Sequence, residues 1–212
     1  MVVNNLPGRF ISVEGSEGVG KSSNLDFIES LLQAAGKSVL RTREPGGTPL
    51  GESLRGLLLQ RSEAPMHQDT ELLLMFAARA QHLNQVIKPA MAAGQWVLCD
   101  RFTDATYAYQ GGGRGIDPAR IAILEAWVQG TLRPDHTLLL DMPVSQGLAR
   151  AGARSEPDRF EEETLAFFER VRQVYLARAE ADPQRIHVID AAPDLQTVQG
   201  TLSKVLAGIL GQ

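Results

Sequence analysis

The chain has 212 residues, 43% of them hydrophobic and 22% charged, with a net charge of −4 and one cysteine. That length suits one domain, residues 1–212, with a sizeable core; the mild acidity excludes a global basic field for nucleic acid or a membrane surface. A lone Cys99 excludes an internal disulfide and a CxxC metal cluster. No apolar run approaches the ~18 residues of a membrane span, and no charged stretch followed by an apolar region opens the chain, so the expected location is cytoplasmic.

Five short apolar runs read as buried strands: Phe10 to Val13, Val39 to Thr42, Trp96 to Cys99, Thr137 to Leu140 and Ile186 to Ile189. They are continuous rather than alternating, which fits parallel strands covered on both faces. Helix-period stretches separate them: Lys21 to about Gly36, Gln68 to Ala93 with Pro89 as a kink or early end, Glu161 to Ala181, and Leu195 to Leu210. Strands alternating with helices imply a right-handed α/β layer sandwich on a parallel sheet. Gly152 to Asp158 is small, polar and basic, and reads as a surface loop or mobile flap.

The segment Gly15-Ser16-Glu17-Gly18-Val19-Gly20-Lys21-Ser22 fits G-x-x-x-x-G-K-[ST], with a strand before it and a helix after it. Its glycines let backbone N–H groups turn toward phosphate oxygens, and the positive end of the helix dipole adds to the attraction. Lys21 would reach the β- and γ-phosphates and Ser22 would coordinate Mg²⁺. A switch GTPase would also carry D-x-x-G and N-K-x-D, and neither occurs. A small-molecule kinase is the economical reading; a P-loop switch without an acceptor substrate is the alternative from another class.

Three further segments place polar groups where a second substrate could sit. Arg43-Glu44-Pro45-Gly46-Gly47-Thr48 follows the second strand, and Asp100-Arg101-Phe102 the third, both at carboxyl ends where open α/β sheets bind ligands. Asp100 is placed to hold Mg²⁺ or its water, with Arg101 beside the transferring group. Arg79 lies among Leu72, Met75, Phe76, Leu83 and Val86 on one helix face. A guanidinium buried there needs a partner; an internal carboxylate and a ligand carbonyl both fit.

Taken together, these segments resemble the thymidylate kinase family over most of the chain. The match includes Glu17 in the phosphate loop, Arg-Glu-Pro-Gly-Gly-Thr at 43–48, Phe-Ala-Ala-Arg at 76–79 and Asp-Arg-Phe at 100–102. It continues through Ala-Tyr-Gln-Gly-Gly-Gly-Arg at 108–114 and Asp-Arg-Phe-Glu at 158–161. The resemblance implies a three-layer P-loop nucleoside-monophosphate-kinase fold with a parallel five-stranded sheet, a homodimer, Mg²⁺ with ATP as donor and dTMP as acceptor. A kinase of another nucleoside monophosphate is the near alternative.

Carried over residue by residue, it implies that Glu17 takes the acceptor's 3′-hydroxyl and Pro45 packs near that sugar. Arg55 and Arg101 hold the acceptor's phosphate, and Glu44 and Arg43 order their loop. Arg79, Thr106 and Gln110 hydrogen-bond thymine, and Tyr109 crowds the 2′ position. The family's base-stacking aromatic stands four residues before the arginine. Here that position is Met75, with Phe76 three before, and both remain candidates. Ala105 replaces a residue that is commonly Ser. Where some members carry an arginine in the phosphate loop, this chain has Gly18, so catalytic cations are expected from Arg150, Arg154 and Arg159, around a lid at about 150–160.

The acceptor of such a kinase is a phosphate monoester with a second pKa of about 6, mostly dianionic at pH 7. No general base is required, and catalysis reduces to positioning and charge neutralisation.

Overall fold

The computed structural model describes residues 8–61, 64–152, 159–160 and 163–211. Five parallel strands form one sheet in the order β2-β3-β1-β4-β5: β1 Phe10–Glu14, β2 Val39–Arg43, β3 Trp96–Asp100, β4 His136–Asp141 and β5 Ile186–Asp190. Each expected strand is present and runs one residue further at its carboxyl end, because the polar residue there still pairs with its neighbour. Those terminal residues (Glu14, Arg43, Asp100, Asp141, Asp190) line up along the carboxyl edge of the sheet.

Helices α1 (Lys21–Ala34) and α9 (Leu195–Leu210) cover one face, burying Leu25, Ile28, Leu202 and Leu206 against Ile11, Val13, Leu98 and Leu138. On the other face, α8 (Leu165–Ala181) packs Phe168, Val171 and Tyr175 against Leu139 and Ile186, while Leu83 and Ile87 pack on Phe10, Val97 and Phe102. Burial of large side chains such as these contributes about 1.5–3 kcal/mol apiece, so apolar packing on both faces holds the sheet. Thr164 caps α8 through Phe167 N–H, which starts the helix at Leu165 rather than at Glu161.

Helical structure continues through Pro89 to Ala92. The helix α3 (Gln68–His82) runs into a π-helical turn, Leu83–Ile87, and then into α4 (Lys88–Ala92). The wider turn leaves Pro89 in the first turn of α4, where a missing N–H costs nothing. It also advances the buried stripe, so Ile87 is fully buried.

Three further helices had no clear periodic signal. The helix α2 (Pro49–Leu59) is capped by Thr48 and carries two glycines, α6 (Pro118–Gln129) leaves Ile123 and Trp127 in solvent, and α7 (Val144–Ala151) is two turns long. Between β3 and α6 lie a single turn α5 (Thr103–Thr106) and a second π-helical stretch, Tyr107–Gly113. That stretch packs along α8, where Gly112 and Gly113 lie against Arg170 and Phe167.

Candidate active site

The phosphate loop leaves β1, which lies between β3 and β4 in the sheet order, so the chain crosses to opposite sides of it. Gly20 caps α1 with no side-chain hydrogen bond and φ 85°, so the first-turn amides stay open to an anion. Lys21 Nζ donates to the loop's own carbonyls, Gly15 O at 3.0 Å and Ser16 O at 2.9 Å. Burial, and then the Arg101 charge, lower its pKa. The ammonium is thereby held over the nest it would share with phosphate oxygens.

Gly18 is glycine for a steric reason. Its φ is 73°, and a Cβ there would lie 1.8 Å from the Gly147 carbonyl of α7. The close approach of α7 therefore excludes a longer side chain at this place in the loop.

Arg101 has φ 65°, a left-handed conformation that costs a non-glycine residue about 1–3 kcal/mol. Two contacts hold it: its N–H donates to Val13 O at 3.0 Å, and Phe102 N–H donates to Glu14 at 2.7 Å. The guanidinium then reaches Gly15 O at 2.9 Å and Glu17 at 2.6 Å, and lies 4.7 Å from the ring centre of Tyr109. Tyr109 also donates to Glu17, at 2.9 Å.

Glu14 at the end of β1 and Glu17 in the loop respond oppositely. Burial raises Glu17, but Arg101 and Lys21 overcome it and hold the carboxyl at about 2. Burial, and then the Asp104 charge, push Glu14 up to about 8.

A second part of the cleft is assembled around Arg79. Its Nε donates to Glu44 at 2.6 Å and its Nη2 to Thr106 at 3.0 Å, while Phe76 and Phe102 lie 4.9 and 5.0 Å from it on their ring faces. The internal carboxylate is therefore real: it is Glu44, whose other oxygen meets His82 at 2.9 Å. Yet Nη1 is buried without a partner among the described residues, and such a donor is costly unless something accepts from it. Met75 lines the cleft, whereas Phe76 is buried among Leu72, Ile116 and Ile121 with its ring against Arg79.

Around the cleft, Arg43 lies outside the lining and pairs with Glu52 at 2.7 Å; the same carboxylate takes Gly47 N–H at 2.9 Å. The Glu44–Pro45 peptide is cis, and Arg55 Nη1 donates to Pro45 O at 3.1 Å.

One cleft of about 310 Å³ joins these parts. Of the expected residues, Glu17 to Ser22, Glu44, Pro45, Arg55, Met75, Arg79, Asp100, Arg101, Thr106, Tyr109 and Gln110 line it; Gly15 and Ser16 meet it through the contacts of their carbonyls with Lys21. Arg150 and Arg159 do not line it. Arg150 donates to Ala191 O at 3.0 Å and Ala192 O at 2.7 Å, and Arg159 is held by Leu58 O at 2.9 Å and by Glu71 at 2.8 Å. Both are drawn away because backbone carbonyls and a buried carboxylate lie within reach. Arg154 lies outside the described residues.

Sequence reading missed two buried groups behind the lining. Tyr175 donates to Glu14 at 2.8 Å and stands 3.4 Å from Arg101. Glu71 takes Gln110 Nε2 at 2.8 Å. A carboxylate on the buried side of a helix, as at 71, was the one available signal.

The cleft thus joins the glycine-rich loop with its lysine to a set of polar side chains around Arg79. Residues 13–201 match the thymidylate kinase family. The chain is 62% identical over 205 residues to the thymidylate kinase of Pseudomonas entomophila (strain L48), covering 97% of this chain and 98% of that one. It is 57% identical over 201 residues to that of Alcanivorax borkumensis, covering 95% and 97%. The crystal structure of thymidylate kinase from Ehrlichia chaffeensis superposes with a TM-score of 0.75 at 34% identity, over 95% of this chain and 99% of that one. The chain belongs to the thymidylate kinase family.

Proposed function

We propose that the cleft holds ATP and dTMP together over the phosphate loop, with the side chains in the roles given below. The chain is a nucleoside monophosphate kinase, and its reaction moves the γ-phosphoryl group of ATP to dTMP, giving dTDP and ADP. The observation that carries the assignment of roles is that Lys21 and Arg79 line one and the same cleft. Lys21 and the loop amides bind the donor's phosphates. Arg101 and Arg55 hold the acceptor phosphate, Arg79, Thr106 and Gln110 meet the base, and Met75 covers it. Tyr109 and Glu17 flank the sugar.

The acceptor oxygen is already anionic, so these groups accelerate transfer by holding two polyanions in line and screening their charge. Asp100 and Ser22 fit Mg²⁺: both line the cleft with hard oxygen donors, and Asp100 Oδ1 is buried without a hydrogen-bond partner among the described residues. When bound, the ion would neutralise charge on the donor's phosphates. With Arg150 and Arg159 held elsewhere, the catalytic cation expected from the 150–160 segment is assigned to Arg154.

Dimerisation belongs to the same proposal. Leu73, Ile123 and Trp127 on α3 and α6 are 56%, 68% and 81% exposed, beside an Asp69–Arg120 pair, a face suited to a second copy. Trp127→Glu is expected to yield monomers by light scattering, and an unchanged oligomer would remove this face. No described helix is long and apolar enough to cross a membrane; a cytoplasmic location is part of the proposal.

A coupled assay of ADP release across a panel of monophosphates tests the reading. dTMP should be far the best acceptor, and an ATP hydrolysis rate indifferent to every monophosphate would overturn it.

A further inference from the structure

We infer that Glu71 is a positioning residue for base recognition: it reads no substrate itself but fixes which atom of the Gln110 amide faces the base. The inference rests on the reading that the base lies between Arg79 and Gln110.

Glu71 is fully buried on α3, behind the cleft lining. Among the described residues, every side-chain polar group set against its carboxylate is a donor. Gln110 Nε2 lies 2.8 Å and Arg114 Nε 3.3 Å from Oε1, and Arg159 Nη2 lies 2.8 Å from Oε2. A carboxylate paired to guanidinium groups accepts only, whereas an amide has one donor end and one acceptor end. Gln110 must therefore turn Nε2 toward Glu71. The reverse orientation would set its carbonyl oxygen against a carboxylate oxygen and lose a charge-assisted hydrogen bond. Because Gln110 lines the cleft, the end left for a ligand is the acceptor, Oε1.

Arg79 supplies the opposite sense. Its Nε and Nη2 are taken by Glu44 and Thr106, and Nη1 is the buried donor left over among the described residues. The slot thus offers one donor and one acceptor. A pyrimidine with a 4-carbonyl and a protonated N3 complements that pair. A cytosine presents a 4-amino group and an unprotonated N3, so donor meets donor and acceptor meets acceptor. A single unmatched buried group of this kind is worth roughly 10- to 100-fold in discrimination. Glu71 decides the sense of one of the two positions without touching the ligand.

The test is Glu71→Gln, measured by kcat and KM for dTMP, dUMP and dCMP beside a thermal melt. An amide at 71 can accept or donate, so Gln110 is released to either orientation. The dTMP:dCMP ratio of kcat/KM should fall about tenfold or more. The loss should lie in the KM for dTMP, with the KM for ATP within about twofold of wild type. The dTMP:dUMP ratio should not move, because uracil presents the same donor and acceptor. A lower melting temperature with an unchanged dTMP:dCMP ratio would mean that Glu71 is structural only, and would overturn the inference. If that variant does not fold, Glu71→Asp draws the charge back by one methylene and carries the same test, with an unchanged ratio again decisive. Gln110→Met separates the two readings. If it lowers the ratio and the Glu71 variants do not, the base reading stands and the role of Glu71 falls. If it also leaves the ratio unchanged, the base reading itself is wrong.

Discussion

The proposed phosphate end of the cleft comes from one run, Gly15 to Ser22, whereas the proposed base end gathers Glu44, Arg79, Thr106 and Gln110 from four separated segments. The first is made of backbone. Its proposed recognition groups are amides whose directions follow from local φ values, as at Gly18 and Gly20, and its positive potential comes from the end of α1. The second is made of side chains whose key members are oriented by other side chains: Arg79 by Glu44 and Phe76, Gln110 by Glu71. A backbone nest tolerates change in the residues around it. A side-chain slot depends on its supports, and loss of a support should alter specificity or stability before turnover.

The largest expected effects lie at the phosphate end. Arg154→Ala should reduce turnover by about 10²–10⁴, and a wild-type kcat would remove that arginine from the mechanism. Lys21→Ala should lower kcat by about 10²–10³ with little change in the KM for dTMP. A pure KM effect on dTMP would break the division between the two ends.

At the base end the pattern should reverse. Arg79→Ala should raise the KM for dTMP roughly 10- to 100-fold, more than that for ATP. It should also destabilise the protein by about 3–5 kcal/mol, since it strands Glu44 in the interior with His82 as its remaining side-chain partner. Equal effects on both KM values would make Arg79 structural.

The smallest effects should be visible only against pH, and they separate the end of β1 from the loop that follows it. Glu14, raised to about 8 from 4.5, keeps its proton in the folded state after the unfolded chain has lost it. Its contribution is fully present below about pH 4.5 and is lost as pH rises through about 8. Relative to wild type, Glu14→Gln should therefore gain stability in urea melts between pH 5 and 8.5. Glu17, lowered to about 2 from 4.5, behaves oppositely: its contribution is present above about pH 4.5 and is lost as pH falls toward 2. Glu17→Gln should gain relative to wild type only on the acid side. Parallel pH profiles for the two variants would show that these carboxylates share one environment.

The cleft was unevenly legible in the amino-acid string. Strands could be read because continuous apolar runs have few other uses in a domain of this size, but α6 could not, because Ile123 and Trp127 face outward and blur its period. The choice between Met75 and Phe76 could not be made by counting turns, since both lie on Arg79's side of α3; packing against Ile116 and Ile121 took Phe76 into the interior. Pro89 read as a break because the i→i−4 ladder was assumed, and the π-helical turn at Leu83–Ile87 removed the conflict.

By itself, the sequence determined the phosphate nest of Gly15 to Ser22, because glycines at set spacing between a strand and a helix dictate local backbone directions. It also carried the order of the polar segments at the strand ends, which a parallel sheet must bring to one edge. Only the tertiary structure decided what each charged side chain does there. Glu44 and Glu71 lie in the interior, where an unpaired charge is costly, and the nearest cations and amides across the fold settle their partners. The same long-range rule took Arg150 and Arg159 out of the cleft. It also left Gly18 without room for a side chain of its own.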